Sequence, residues 1–288
     1  MIIRFLNFLI YANVYVAFPV TLIASTTYLL HASAPVDYSL LLLIYFSTLF
    51  LYCFHRAYPF QKLEHPALSN RYTWLENNRT LFLGIMLVAL ACAIGFGMMM
   101  SKVIWFWLIP LGLIAALYTI PVIRISGCKK RLRDIAYIKI FLIAITVTWV
   151  TVYLPIVNVG ADFLIMNEEL ALLCGERFFF ILCITIPFDI RDLHIDKKMG
   201  LKTIPTFLGV KKALLLSLVF LALFVVILTY HFISAELLST TTFIAMMVST
   251  AATALIIAKS TPKRSEYYFS FLVEGTMVIQ FLLVLLVN

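Results

Sequence analysis

Nine apolar runs of membrane-crossing length follow one another along this chain and leave little of it for anything else. A helix needs roughly 20 apolar residues to traverse the hydrocarbon core of a bilayer. Windows of that size fall at about 8–30, 37–55, 80–100, 103–123, 135–157, 169–189, 212–232, 237–258 and 267–287. In lipid, every backbone polar group must be satisfied inside its own segment or in a closed barrel, so runs this long read as helices. The expected fold class is an all-α membrane protein, a bundle of nine transmembrane helices with residues 1–288 forming a single domain. Composition agrees: 63% of the residues are hydrophobic and 12% charged, against about half and a quarter in an ordinary soluble domain. "HASA", residues 31–34, imitates a signal cleavage site. The apolar run before it, from about Phe5 to Leu30, exceeds the ~7–15 residues of a signal h-region, and Pro35 follows the supposed cut.

The loops carry their charge unevenly. One set holds Arg56, Lys62, Arg71 and Arg79, then Arg124, Lys129, Lys130, Arg131 and Arg133. It continues with Arg191, Lys197, Lys198, Lys202, Lys211 and Lys212, and ends with Lys259, Lys263 and Arg264. The alternate loops hold Lys102 alone. Short basic loops stay on the cytoplasmic side, so the expected topology has the N-terminus cytoplasmic and the C-terminus outside. One run more or fewer would scramble this alternation, which supports the count of nine independently of hydropathy. The net charge of +8 then reports orientation in the lipid bilayer, and basic residues scattered between spans form no nucleic-acid face. No nucleic-acid partner is expected. Cys53, Cys92, Cys128, Cys174 and Cys183 contain no CxxC pair and mostly sit within apolar runs, as small buried hydrophobes do. Compact loops and the lack of a transit peptide point to a bacterial cell (cytoplasmic) membrane, crossed many times.

In this apolar chain, "PFDIRDLHIDKKMGLKTIP", residues 187–205, is the most charged stretch. Asp189, Asp192 and Asp196 are spaced i, i+3, i+7, which on a continuous helix places three carboxylates on one face. Like charges at that spacing repel by a few tenths of a kcal/mol per pair, so the pattern makes sense around a bound cation. Oxygen-only ligands point to a hard ion, and Mg2+ takes one or two carboxylates and completes its shell with phosphate and water. Arg191, Lys197, Lys198 and Lys202 lie within a turn or two and offer direct cationic contacts to a polyphosphate. His194 points off the acidic face and is not counted as a ligand. Gly200 and "TIP", 203–205, end the helix and turn the chain back. The same residues also read as a solvated loop whose acids and bases pair with one another.

"DIRDLHIDKKMGLKTIPTFLG" resembles the second aspartate-rich motif of the UbiA-type intramembrane prenyltransferase superfamily, in residue type, in register and in its place at the end of the sixth of nine helices. "LYTIPVIRISGCKKRLRD", 117–134, looks like the basic loop after that family's fourth helix. The resemblance implies a cavity open to lipid, an isoprenyl diphosphate donor, Mg2+ and a membrane-soluble or aromatic, quinone-precursor-like acceptor. It implies metal-associated roles for Asp189, Asp192 and Asp196, catalytic roles for Asp192, Asp196 and Tyr118, and diphosphate contacts from Arg191, Lys197, Lys198, Lys202, Arg124, Lys130 and Arg131.

The family's first aspartate-rich motif, at the end of the second helix, is missing. The corresponding segment reads "LYCFHRAYPFQKLEHP", 51–66, with Glu64 its first acid. Two expectations follow: His55 and Arg56 contact the diphosphate in place of a metal, or they are interfacial residues in a fold whose original chemistry has changed. The function expected is prenyl transfer; the alternative is a non-catalytic relative that binds an isoprenoid or polyprenyl phosphate as sensor, scaffold or carrier. Lys139, Glu176, Arg177 and Glu274 fall inside expected spans, where a charge needs a partner or a cavity. Ion pairs with other helices are expected there, with a polar acceptor site or proton pathway as the sharper reading.

Overall fold

A computed structural model describes residues 2–30, 35–60, 70–121, 123–125, 128–160, 168–234 and 238–288. Among them, eight helices are long and apolar enough to cross a membrane, and a ninth span is made if the bent pair at the N-terminus counts as one. That pair is α1 (Ile2–Tyr11) and α2 (Val14–Leu30), which meet at 66°. The break needs neither Pro nor Gly. Asn13 takes a left-handed conformation, φ 61°, which Asn tolerates better than most residues. Its Nδ2 reaches the Cys53 sulfur at 3.6 Å, and that thiol donates to the freed carbonyl of Ala12, also at 3.6 Å.

The next elements are α3 (Tyr38–Phe60), the short α4 (Asn70–Asn77), α5 (Arg79–Met98) and α6 (Lys102–Thr119). A three-residue hairpin, β1 (Ile123–Ile125) against β2 (Cys128–Lys130), is antiparallel with Ile123 opposite Lys130. The fifth span runs from α7 (Ile138–Thr148) through a π turn, Trp149–Tyr153, into α8 (Leu154–Asn158). It is followed by α9 (Glu168–Arg191), α10 (Leu193–Lys198), α11 (Ile204–Leu208), α12 (Val210–Ser234) and α13 (Thr240–Ala258). The last span opens with a second π turn, Tyr268–Val273, and continues as α14 (Gly275–Leu285).

The outward faces stay apolar, with Leu87, Val88, Phe106, Leu113, Leu215 and Val226 all exposed. Such a surface suits lipid, not water. The most enclosed span is α9: Phe180 packs on Phe224 of α12 in a core that also buries Ile140 and Phe269. Pro187 inside α9 has no N–H to give to the carbonyl four residues back, that of Cys183. The buried Ser217 of α12 supplies the missing donor, its hydroxyl 2.5 Å from the Cys183 oxygen. Ser217→Ala should cost about 1 kcal/mol, the usual net worth of a hydrogen bond, and a melting curve in detergent measures it; an unchanged curve would mean the carbonyl is satisfied some other way.

Two of the charges inside spans have the interhelical partners expected of them. Glu176 of α9 meets His231 of α12 at 2.7 Å, both nearly inaccessible. Lys139 of α7 meets Asp189 of α9 at 2.6 Å.

Candidate functional site

The three aspartates lie where α9 hands over to α10. The expected continuous helix is interrupted: α9 stops at Arg191, and Asp192 (φ −85°, ψ 1°) turns the chain into α10. All three carboxylates nevertheless line one cavity of about 1560 Å3. α10 is closed by Gly200 in the left-handed region, φ 66°. The Leu201 N–H donates to the Asp196 carbonyl at 2.9 Å and the Gly200 N–H to that of Lys197 at 3.3 Å. This 6→1 and 5→2 pair is a Schellman cap, and it anchors the Asp196 backbone at the cavity. "TIP" then starts α11, where the Thr203 N–H donates to the Thr206 hydroxyl at 2.8 Å.

The acids differ in electrostatic state. Asp189, 2% exposed, accepts from Lys139 Nζ. Asp192 accepts twice from Arg191, Nε to Oδ1 at 2.8 Å and Nη2 to Oδ2 at 2.9 Å. Burial works against its charge, but Arg191, Lys139 and Arg71 outweigh burial and hold its carboxyl down at about 2. Asp196 is 6% exposed and its Oδ2 has no partner among the described residues. Burial, followed by Lys139 pulling the other way and by Asp189 and Asp192 pushing with it, leaves this carboxyl at about 6.

Among the described residues no three His, Cys, Asp or Glu side chains form a ready-made metal cage. Two carboxylates do fit the one-or-two-carboxylate habit of Mg2+, which leaves the remaining positions to phosphate oxygens and water. Asp196 offers a buried oxygen without a partner and Asp192 an ionised carboxylate that it would share with Arg191; Asp189 is committed to Lys139 across the helices.

His55 and Arg56 of α3 line the same cavity. His55 Nδ1 hydrogen-bonds the Thr119 hydroxyl of α6, and its ring lies 5.0 Å from that of Tyr118. Arg56 Nη1 donates to the Tyr11 carbonyl, 3.5 Å, at the α1–α2 break. Tyr118 lines the wall with the Arg133 guanidinium 5.8 Å above its ring. Arg131 is paired with Asp134 through Nε and Nη2, each 2.9 Å. Burial opposes the Asp134 charge, but those bonds hold its carboxyl below the usual range.

Arg191, Lys198 and Lys202 line the cavity, and so does His194, at its exposed rim. Lys197 is exposed and stands outside the lining. The side chains of Arg124 and Lys130 lie outside the described residues. Spacing gave no reason to single out four further groups. Arg71 of α4 pairs with Glu266 at 3.0 Å, and both line the cavity, as do Tyr52 and Arg133. They come from separate elements, so only their charge or their position beside an apolar run could have flagged them.

Below this polar end the wall turns apolar, with Val20, Leu43, Ile44, Leu108, Ile143 and Met277 from five spans. A site cationic at one end and hydrocarbon at the other fits an amphiphile with an anionic head. Its volume exceeds the roughly 300–1,000 Å3 of a single-ligand cleft, which leaves room for two molecules.

A UbiA homologue from Archaeoglobus fulgidus bound to GPP and Mg2+ shares this fold with a TM-score of 0.68 at 16% identity, over 98% of this chain and 99% of the other. A digeranylgeranylglyceryl phosphate synthase structure does so at 0.61 and 15% identity, over 99% and 98%. The apo structure of a UbiA homologue from Aeropyrum pernix K1 gives 0.59 and 18%, over 94% of each. At such identities the likeness is one of fold. No curated protein sequence matches the chain significantly. Residues 61–274 match the UbiA prenyltransferase family, and this multi-pass membrane protein is a member of it.

Proposed function

We propose that the protein transfers a prenyl group from an isoprenyl diphosphate to a second, membrane-soluble molecule. The observation that carries this reading is the single cavity in which Asp192, Asp196, Arg191, Lys198, Lys202, His55 and Arg56 ring one end and an apolar channel forms the other. Two of the similar structures are described as bound to GPP with Mg2+ and to DMAPP with Mg2+, ligands of that same head-and-tail chemistry.

In this reading the prenyl chain lies in the channel, which excludes water from the allylic carbon. The diphosphate faces the cations. Asp192 and Asp196 would hold Mg2+, which when bound neutralises the diphosphate and stabilises the charge developing on it. Lys198, Lys202 and Arg191 stabilise the same charge directly, and groups oriented before the reaction do so without reorganising. His55, positioned by Thr119, and Arg56, held by the Tyr11 carbonyl, stand where the family's first acidic motif is missing. They would supply fixed positive charge on that side. The membrane concerned is, in this reading, a bacterial cytoplasmic one.

The purified protein should release diphosphate from labelled isoprenyl diphosphates in Mg2+ and a membrane lipid extract, and lose that activity, by tenfold or more, in EDTA. Release that survives chelation would remove the metal from the proposal. A second reading, a non-catalytic isoprenoid-binding relative, is favoured by the pairing of Asp189 and Asp192 with in-chain cations; tight binding without turnover would select it.

A further inference from the structure

The acids along the cavity wall are mostly spoken for: Asp189 by Lys139, Asp192 by Arg191, Asp134 by Arg131 and Glu266 by Arg71. Besides Asp196, whose Oδ2 is also without a partner, Glu274 stands apart. It lines the cavity, its Oε2 is buried without a partner, and its side chain makes no hydrogen bond or ion pair among the described residues.

Its placement comes from the π turn Tyr268–Val273. The Glu274 N–H donates to the Phe269 carbonyl five residues back, at 3.1 Å, where an α-helix would use Ser270 four residues back. One extra residue in a turn rotates every later side chain by about 100°, and such turns concentrate at functional sites. Gly275 follows Glu274 and faces α2, where an added Cβ would meet the Tyr15 hydroxyl in ordinary contact at 3.5 Å. The charged groups facing Glu274 are Arg71 of α4, Arg191 of α9 and Arg56 of α3; Tyr15 of α2 and Tyr52 of α3 are within its electrostatic reach. Glu274 is a carboxylate under the influence of three arginines and bonded to none of them.

We propose that Glu274 is the general base of the reaction, taking the proton from an acceptor that carries a hydroxyl group, alcohol or phenol. The inference rests on the prenyl-transfer reading above. The acceptor oxygen bonds to the allylic carbon as the bond from that carbon to the diphosphate oxygen breaks. The electron pair leaves with the diphosphate, and the hydroxyl proton passes to the Glu274 carboxylate.

The test uses geranylgeranyl diphosphate, Mg2+ and a set of alkyl phenols, naphthols and glycerol monoethers. Glu274→Gln should keep donor affinity within about threefold but lose roughly 100-fold in transfer, the usual share of a general base. The wild type should show an acid limb in its pH–rate profile steeper than the single step that Asp196 gives, Glu274→Gln should keep only that single step, and Glu274→Asp should retain part of the rate and the steeper limb. A structural role would move melting and donor binding, not the limb. Wild-type transfer rates in Glu274→Gln overturn the inference, as does donor consumption by the wild type with transfer to none of the hydroxyl compounds. No donor consumption by the wild type removes the prenyl-transfer reading itself, and this inference with it.

Discussion

Asn in place of Asp192 or Asp196 is expected to cut diphosphate release by about 10²–10³-fold, the range seen when one charge-stabilising group is lost from a site, with the fold intact. Asn keeps the shape of Asp and removes the charge that a metal ion needs. Stability should survive for different reasons at the two positions. At 192, Arg191 loses its bidentate acceptor but keeps Glu266 and Glu274 within electrostatic reach. At 196 the wild-type carboxyl sits at about 6 in the fold, above the roughly 3.9 of an unperturbed Asp. The stability contributed by its protonated form is full below about pH 4 and lost as pH rises through about 6. At neutral pH the folded protein therefore carries a charge it disfavours, and Asp196→Asn should melt no lower than the wild type. Diphosphate release at wild-type rate in both variants, measured beside their melting curves, would return the aspartates to the role of a self-paired loop.

Lys139→Met should be the most damaging change for stability. Asp189 is 2% exposed and faces the Lys139 ammonium at 2.6 Å, so removing the cation leaves a buried carboxylate uncompensated, at a cost of about 3–5 kcal/mol. Replacing both partners by apolar residues of similar size, Lys139→Met with Asp189→Leu, should recover most of that loss, because a buried pair gains little over a well-packed apolar one. Unfolding of the detergent-solubilised variants reads this directly. A single variant as stable as the wild type would show that the pair is hydrated through the cavity and contributes little.

The spans were legible because hydropathy and loop charge are local properties. α9 was expected at about 169–189 and runs Glu168–Arg191; α13 was expected at about 237–258 and runs Thr240–Ala258. The cap at Gly200 was legible as well, since only the residue type matters there. The break at Ala12 and Asn13 was not, because Cys53 supports it from 40 residues away. The continuous acidic helix was expected from i, i+3, i+7 spacing, yet the backbone turns at Asp192, where Arg191 grips its own neighbour. Among the intramembrane charges, sequence showed that Lys139 and Glu176 needed partners but not which ones.

By itself, then, the order of residues determined a many-span helical membrane protein, its family resemblance and the stretch where its acids gather. These follow from transfer energies summed over consecutive residues and from a motif contiguous along the chain. Only the tertiary structure decided that "FDIRDLHIDKK" shares a cavity with His55, Arg56, Arg71 and Glu274, and which acids are already neutralised. Those outcomes depend on helix packing and on one π turn's rotation, and neither distance nor register between elements is written in local sequence. The charged motif at the end of α9 was visible from the start; its neighbours had to be brought to it by the fold.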